Sequence, residues 1–361
     1  MSILVLNSGS SSLKFKLFDD KLKELKSEKI DRIGNSEVKN HQEALKIIIK
    51  KISDEFENIS FIGHRVVHGG DKFGEIEEIN HETITGIQEL SSLAPLHNPP
   101  ALEVILALEK YKIKQYACFD TAFFKELPAE AKYYPLPYEY YQKKKIKKYG
   151  FHGISHKFAA QEAAKSLNKP IEEINLITVH LGAGSSITAT EKGKPIETSM
   201  GFTPNEGLMM MTRSGGIDPS IVLFMLKKMN LSPEKIENIL EKQSGLLGIS
   251  GVSNDMKDIL FVAGIKVEDK DYVMSANIKC DREHIKRSEL ALKMFCRTIK
   301  KYIGGYAALL NNKVDAIVFT GEIGFGSSIL RERIAKNFDI KIIAVKPNEE
   351  LAIARLINGN S

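Results

Sequence analysis

Two stretches of the chain, Ile3-Leu-Val-Leu-Asn-Ser-Gly-Ser-Ser-Ser-Leu13 and Leu176-Ile-Thr-Val-His-Leu-Gly-Ala-Gly-Ser-Ser-Ile187, are near copies of one another. Each is an apolar run of strand character that breaks into Gly and Ser, then resumes as a strand at Lys14–Phe18 and at Thr188–Thr190. A repeat of this kind predicts a duplicated domain. Because a Gly/Ser hairpin lets backbone N–H groups and hydroxyls converge on one concavity, two of them facing each other would form a phosphate clamp. That points to an enzyme that uses a nucleotide.

Length agrees with duplication, since 361 residues exceed what one hydrophobic core usually supports and suit two domains. Apolar residues make up 43% and charged residues 27%, the balance of a soluble globular chain. The net charge of +5 arises from 51 basic and 46 acidic residues that are interspersed, which favours a site for small anions over a nucleic-acid groove. Cys118, Cys280 and Cys296 are too few and too scattered for a disulfide framework or a C-x-x-C metal site, so burial in a reducing compartment is expected for them. The apolar run Ile3–Leu6 is too short for a signal-peptide core, and no run approaches the roughly 20 residues of a membrane span. A cytoplasmic enzyme with neither a membrane nor a nucleic-acid partner is expected.

Along the chain, Ala44, Ile47, Ile48 and Ile52 give Glu43–Glu55 a helical period, and Ile59–Val67 reads as a strand that runs into His68-Gly-Gly-Asp. Leu93–Pro100 carries three prolines and cannot be a helix interior, whereas Ala101–Tyr111 reads as a helix with Pro100 near its first turn. Gln115–Asp120 is a β run that delivers Asp120 at its carboxyl end. Tyr133–Tyr149 reads as a surface connection between halves, and its run Lys143–Lys148 as a solvated face. Further helices are predicted from Ser155, over Pro219–Lys228, Pro233–Lys242 and Ser288–Leu310, with a β run Val314–Thr320 leading into Gly321-Glu-Ile-Gly-Phe-Gly-Ser-Ser328 and a helix. Strands and helices alternate, which predicts an α/β fold with mixed sheets. Ala263–His284 is polar without periodicity and reads as a surface excursion.

Three Gly-rich turns at the ends of β runs strengthen the phosphate reading, and the third, before a helix, has the form of a helix N-terminus meeting a ligand. Arg65 in His64-Arg-Val-Val-His-Gly-Gly70 and Arg213 in Met211-Thr-Arg-Ser-Gly-Gly-Ile-Asp218 place guanidinium groups in Gly-flanked loops, where they suit carboxylate and phosphoryl groups. His64, His68, His97, His152, His156 and His180 do not form a zinc pattern, because no His-x3-His pair comes with a matching third ligand. A hydrogen bond from His152 to transferring oxygens fits better.

Six motifs occur in one order: Asn7-Ser-Gly-Ser-Ser-Ser-Leu-Lys14, His64–Gly70, Ala94-Pro-Leu-His-Asn-Pro99, Phe119-Asp-Thr-Ala-Phe123, Tyr149-Gly-Phe-His-Gly153 and Thr198-Ser-Met-Gly-Phe-Thr-Pro204. Together they resemble the acetate kinase family, the acetate and propionate kinases of the actin, sugar-kinase and Hsp70 superfamily. The resemblance runs from Met1 to about Asp258 and resumes through Ser288–Phe319 and Pro347–Arg355. It implies duplicated actin-like (ribonuclease H-like) domains, mixed β-sheets flanked by helices, with residues 1–149 plus a returning C-terminal segment 347–361 in the first and 150–346, the nucleotide-binding part, in the second. It further implies a homodimer and Mg²⁺- or Mn²⁺-dependent, direct in-line phosphoryl transfer from ATP to acetate in an interdomain cleft, giving acetyl phosphate and ADP.

By the same resemblance Arg65 and Arg213 hold the substrate carboxylate and the transferring phosphoryl group, His152 stabilises its equatorial oxygens, and Asp120 is the essential aspartate. Val67, Leu96, Phe151 and Pro204 form the apolar pocket for the acyl methyl, with His97 beside it. Asn7 and Glu349 match metal-associated positions. Ser10, Ser12, Lys14 and His180, Leu181, Gly182, Ala183 and Gly184 match the ATP-phosphate region, and Asp255, Met256 and Lys257 with Glu322, Ile323, Gly324, Phe325 and Gly326 match the adenosine side. A carboxylic acid with a pKa near that of Glu, ~4.3, is already ionised at neutral pH and needs no base, so Asp120 reads as a metal-side or Arg-orienting carboxylate.

The chain departs from the family pattern at three places. His-x-Gly-Asn-Gly is His180-Leu-Gly-Ala-Gly184, Asp-Phe-Arg is Asp255-Met-Lys257, and Gly-Ile-Gly-Glu-Asn is Glu322-Ile-Gly-Phe-Gly326. The chain is also shorter before Arg65 and between Leu330 and Pro347, with an added stretch at Ala263–His284. Rival readings are a propionate or other short-chain acid kinase, a pyrophosphate-using member, a sugar kinase, which would need a base and a polar pocket, and a non-enzymatic actin-like nucleotide switch.

Overall fold

The computed structural model describes residues 2–34 and 37–359, which separate into two compact units. One comprises Met1–Lys125, Phe151–Phe158 and Asn348–Ser361, the other Glu126–Gly150 and Ala159–Pro347. The sequence boundary at 149/150 therefore differs from the contacts: Glu126–Gly150 packs with the second unit, and Phe151–Phe158 returns to the first.

The first unit is built on a six-stranded sheet of β1 (Ser2–Ser8), β2 (Ser12–Phe18), β3 (Glu24–Asp31), β4 (Ile59–Val66), β5 (Ile76–Glu78) and β6 (Lys114–Phe119), in the order β3-β2-β1-β4-β6-β5. β1, β2 and β3 form an antiparallel meander, while β4 joins β1, and β6 joins β4, in parallel. β1 is apolar without alternation because both of its faces are covered. Leu4 and Leu6 pack with Leu45, Ile48 and Val104 on one side, and Ile3 and Val5 with Ile353 and Ala354 of the C-terminal helix Glu349–Ile357 on the other. That helix lies close against the sheet at Gly63, where a Cβ would come within 2.7 Å of the Ile353 side chain.

The second unit repeats the plan with β7 (Asn175–Leu181), β8 (Ser185–Glu191), β9 (Lys194–Thr198), β10 (Ala316–Thr320) and β11 (Ile342–Ala344), ordered β11-β10-β7-β8-β9. Again a three-stranded antiparallel meander is followed by a strand, β10, that joins the first of the three in parallel. The fold is α/β with two mixed sheets flanked by helices, as expected from the duplicated hairpins. Helix Arg282–Leu309 supplies Ala291, Leu292, Phe295, Ile299 and Ile303 to the core under β7 and β8. It starts ahead of the predicted Ser288 because the Asp281 carboxylate accepts from the backbone N–H groups of Glu283 (2.9 Å) and His284 (3.0 Å), a strong N-cap.

Two expectations are corrected. Cys118 and Cys296 are buried, but Cys280 is exposed, since it lies in the irregular stretch before Asp281 with no core to enter. Nor is Lys143–Lys148 uniformly solvated: Lys147 is buried with its ammonium 5.0 Å from the centre of the Tyr149 ring, and Lys148 reaches Glu197 at 2.7 Å and the Thr198 carbonyl at 2.9 Å. Among the described residues no helix is long and apolar enough to cross a membrane.

His64, on β4, is buried and paired at 2.8 Å with the side chain of Gln115 on β6. Burial pushes its pKa down to about 4, with the Gln115 bond opposing. A depressed histidine is neutral when folded and protonates more readily when unfolded, so its stability contribution is complete above about pH 6.5 and lost as pH falls towards 4. Replacing His64 with Gln should remove about 3 kcal/mol of stability change over that window. Denaturant titrations of both proteins at several pH values measure it, and parallel pH profiles would sink the assignment.

Candidate active site

Strand register assembles the polar cluster of the first unit. Asn7 is paired with Lys14 on β2 and with Arg65 on β4, so the three side chains stand side by side across neighbouring strands. Val66 pairs with Phe119 at the end of β6, and the next residue is Asp120. The strands thus deliver Lys14, Asn7, Arg65 and Asp120 to the same edge region, where the C-terminal helix begins with Glu349 and Glu350.

Arg65 donates to Asp120 Oδ2 from Nε (3.1 Å) and Nη2 (2.6 Å), and to Asn7 Oδ1 from Nη1 (3.2 Å). The Asn7 amide donates to Glu349 (3.3 Å) and Glu350 (3.0 Å), and the Lys14 ammonium sits 2.9 Å from Glu350. Burial opposes charge on Arg65, but Asp120, Glu349 and Glu350 outweigh it and keep the guanidinium firmly protonated. Burial likewise raises the Asp120 carboxyl, against the pull of Arg65, while Glu349 adds to the rise. Ile154 N–H, from the helix Gly153–Leu167, lies 3.4 Å from Asp120 Oδ1. A Cβ on Gly153 would collide with the Asp120 carbonyl, so glycine is required where the helix abuts this aspartate.

His152, immediately before that glycine, has φ 58, in the left-handed region that non-glycine residues avoid. Its carbonyl accepts from His156 N–H at 2.9 Å, which holds the strained residue at the helix entrance. Phe151 and Val67 are buried, Leu96 is 39% exposed, and the Phe151 ring lies 5.9 Å from that of His68. His97 precedes the helix Asn98–Leu108. Between β1 and β2 the hairpin carrying Ser10 and Ser12 is closed by Gly9 N–H to the Ser12 carbonyl at 2.8 Å.

In the second unit, the β7–β8 hairpin is closed by Gly182 N–H to the Gly184 carbonyl at 3.0 Å, with His180 and Leu181 buried beneath and Ala183 exposed at the tip. Gly321 (φ +79) packs so closely that a Cβ would strike the Leu181 carbonyl, which brings Gly321–Gly326 against the end of β7. This third Gly-rich segment is itself helical, and Glu322, Phe325 and Gly326 are exposed while Ile323 packs on the core and Gly324 is buried. Asp255 caps the helix Met256–Val262 through Lys257 N–H at 2.8 Å; Lys257 is exposed and Met256 lies buried in the core. Arg213 donates to the Pro204 carbonyl at 3.2 Å, and burial lowers its pKa, with Glu241 opposing.

Residues 2–356 match the family described as the acetokinase family. The chain belongs to the acetokinase family. It is 40% identical to an acetate kinase of Halothermothrix orenii, the alignment covering 98% of each chain. Its fold is similar to the crystal structure of Porphyromonas gingivalis acetate kinase (TM-score 0.87, 32% identity, 99% of both chains) and to that of a propionate kinase from Francisella tularensis (TM-score 0.87, 35% identity, 98% of both chains).

Within this acetokinase chain, the structure brings together Asn7, Lys14, Arg65, Asp120 and Glu349 in one unit and Arg213 with Pro204 in the other. It adds residues that sequence reading passes over. Glu350 is fully buried and holds both Asn7 and Lys14. Asn98, also fully buried, accepts from His68 N–H (3.1 Å) and donates to the His68 carbonyl (3.0 Å), fixing the turn after Val67. Tyr134 donates to Glu206 and accepts from Phe202 N–H at 2.7 Å, pinning the segment that leads to Pro204. Among the described residues no group of three or more His, Cys, Asp or Glu is spaced to hold a metal ion. An Mg²⁺ ion that takes one or two protein oxygens and keeps water and phosphate for the rest needs no such group.

The left-handed backbone at His152 generates a test on stability alone. Glycine relieves that strain and alanine does not, so H152G should be more stable than H152A by about 1 kcal/mol. Equal unfolding midpoints for the two variants would contradict a strained backbone at this position.

Proposed function

We propose that the chain is an acetate kinase catalysing ATP + acetate ⇌ acetyl phosphate + ADP with Mg²⁺. The observation that carries this reading is the buried Arg65–Asp120 pair, linked through Asn7 to Glu349 and Glu350. A guanidinium fixed on one edge by a carboxylate keeps its remaining N–H groups aimed outward, which suits bidentate capture of an anion.

Acetate is ionised at neutral pH, so no group is needed to remove a proton from it. In the forward direction one acetate oxygen forms a bond to the γ-phosphorus as the bond to the bridging oxygen breaks, and ADP leaves with that electron pair. Arg65 and Arg213 neutralise the carboxylate and the transferring phosphoryl group, and His152 donates to its equatorial oxygens. Asp120 orients Arg65. Val67, Leu96 and Phe151, with His97 beside them, and Pro204 are the residues assigned to the acyl methyl. Ser10, Ser12, Lys14 and His180–Gly184 receive the ATP phosphates, and Asp255–Lys257 with Glu322–Gly326 border the adenosine, where the buried Met256 acts only by supporting its neighbours.

The oxygen-rich neighbourhood of Asn7 and Glu349 suits a hard cation such as Mg²⁺ or Mn²⁺. When bound, the ion neutralises phosphate charge. Glu350 keeps Asn7 and Lys14 in place around it. A homodimer accounts for the exposed apolar side chains Ile221, Leu223 and Phe224 on the helix Pro219–Lys227, and light scattering reads the mass directly. We also place the enzyme in the cytoplasm, where ATP and acetate are supplied; fractionation of cells tests this.

The deciding experiment is acyl hydroxamate formation with acetate, propionate and butyrate against ATP, GTP and pyrophosphate. ATP with acetate should give the highest kcat/KM, although one methylene in an apolar pocket separates neighbouring acids by only about 1 to 3 kcal/mol. Activity with pyrophosphate alone would overturn the donor assignment, and ATP binding without acid-dependent ADP release would favour a nucleotide switch. D120N should lower kcat/KM for acetate by about a hundredfold and weaken the Mg²⁺ dependence, while the basic limb of the pH profile stays in place. A lost basic limb with unchanged Mg²⁺ affinity would make Asp120 a proton carrier instead.

A further inference from the structure

The stretch 263–281 is irregular but anchored at several points within the second unit. Ile265 and Val267 pack against the core. The next two residues diverge. Glu268 accepts from the backbone N–H groups of Ser328 (2.6 Å) and Ile329 (3.2 Å) and from the Ser328 hydroxyl, so its carboxylate occupies the N-terminus of the helix Ser328–Ala335 directly after the Gly321–Gly326 segment. Asp269 pairs at 2.6 Å with Lys257 in the Asp255–Lys257 turn.

Farther along, Tyr272 and Ser275 are bound to Asp258: the Tyr272 hydroxyl at 2.8 Å, Ser275 N–H at 3.2 Å and the Ser275 hydroxyl at 2.7 Å, with the Ser253 hydroxyl adding a fourth bond at 2.7 Å. Asp258 is fully buried, and these donors hold its carboxyl below the usual carboxylate range although burial alone would raise it. Two consecutive residues, whose Cα atoms are about 3.8 Å apart, therefore tie the turn at Lys257 to the helix that continues from Gly326.

We propose that Glu268 is a positioning residue for the donor nucleotide, acting with Asp269 as a strap that joins the Asp255–Lys257 turn to the Gly321–Ser328 segment. This rests on the reading that those two segments border the adenosine. A helix N-terminus attracts anions through unsatisfied N–H groups, and here an internal carboxylate fills that position. The phosphate groups of the donor are consequently left to the Gly/Ser hairpins, and the helix end serves as an anchor. Both anchors are at the surface, and Glu268 is the stronger because its charge meets two backbone N–H groups and a hydroxyl, whereas Lys257–Asp269 is a single ion pair of the kind that contributes little. A preset gap between the two segments spares the ordering cost at binding, so the strap acts on nucleotide affinity and leaves the acid untouched.

The test compares wild type, E268A and E268Q by equilibrium titration with ADP and by steady-state kinetics. E268A should bind ADP about tenfold more weakly and raise KM for ATP by the same factor, with KM for acetate and kcat at saturating ATP within about twofold of wild type. E268Q keeps one acceptor oxygen and should fall between the two, and it carries the test if E268A does not fold. ADP affinity in E268A equal to wild type would overturn the proposal, as would equal losses in both KM values and kcat, the pattern of a general structural defect. If wild type binds ADP yet forms no acyl phosphate, the acid-kinase reading fails while the ADP comparison still judges the strap. Wild type that binds no ADP overturns both.

Discussion

The Arg65–Asp120 pair is the interaction on which the first unit's functional edge depends. It joins the ends of β4 and β6 with a 2.6 Å contact, and Asp120 is 1% exposed. A buried carboxylate without its cation is expensive, and a guanidinium without its carboxylate swings free, so each fixes the other. Asn7 extends the pair to the C-terminal helix, whose Glu350 in turn holds Lys14. The last helix of the chain thus completes a cluster begun by its first strand.

The two units share one construction and use it differently. In each, a hairpin opens the antiparallel meander and a later strand joins its first strand in parallel. In the first unit the strand ends carry charged and amide side chains. In the second, the hairpin ends in Gly182-Ala-Gly184, and the neighbouring segment is packed backbone against backbone at Gly321. The first hairpin thus presents side-chain polar groups where the second presents main-chain ones.

Much of the site is legible in the sequence because it sits where apolar β runs stop. Asn7 and Asp120 each follow such a run, Arg65 stands inside β4 just before its end, and strand pairing then places them together. Glu350 is not legible beside Glu349, since two adjacent glutamates at a helix start look alike until packing buries one of them and leaves the other half-buried. The burial of Met256 is equally hidden in the sequence: a residue beside exposed positions is turned into the core by the helix that Asp255 caps. The strap 263–284 carries no periodicity, so its contacts with Asp258, Lys257 and Ser328 have no trace in local pattern.

What the sequence by itself determined is the duplicated α/β plan, the strands β1, β2, β4, β6, β7, β8 and β10 with the longest helices, and the polar motifs at the ends of those strands, because these follow from short-range apolar periodicity and from motifs of fixed spacing. Only the tertiary structure decided which member of a polar pair is buried, that residues 151–158 belong with the first unit, and that Glu268 caps a helix 60 positions away. Those outcomes depend on desolvation and on contacts between distant segments. A local pattern contains neither.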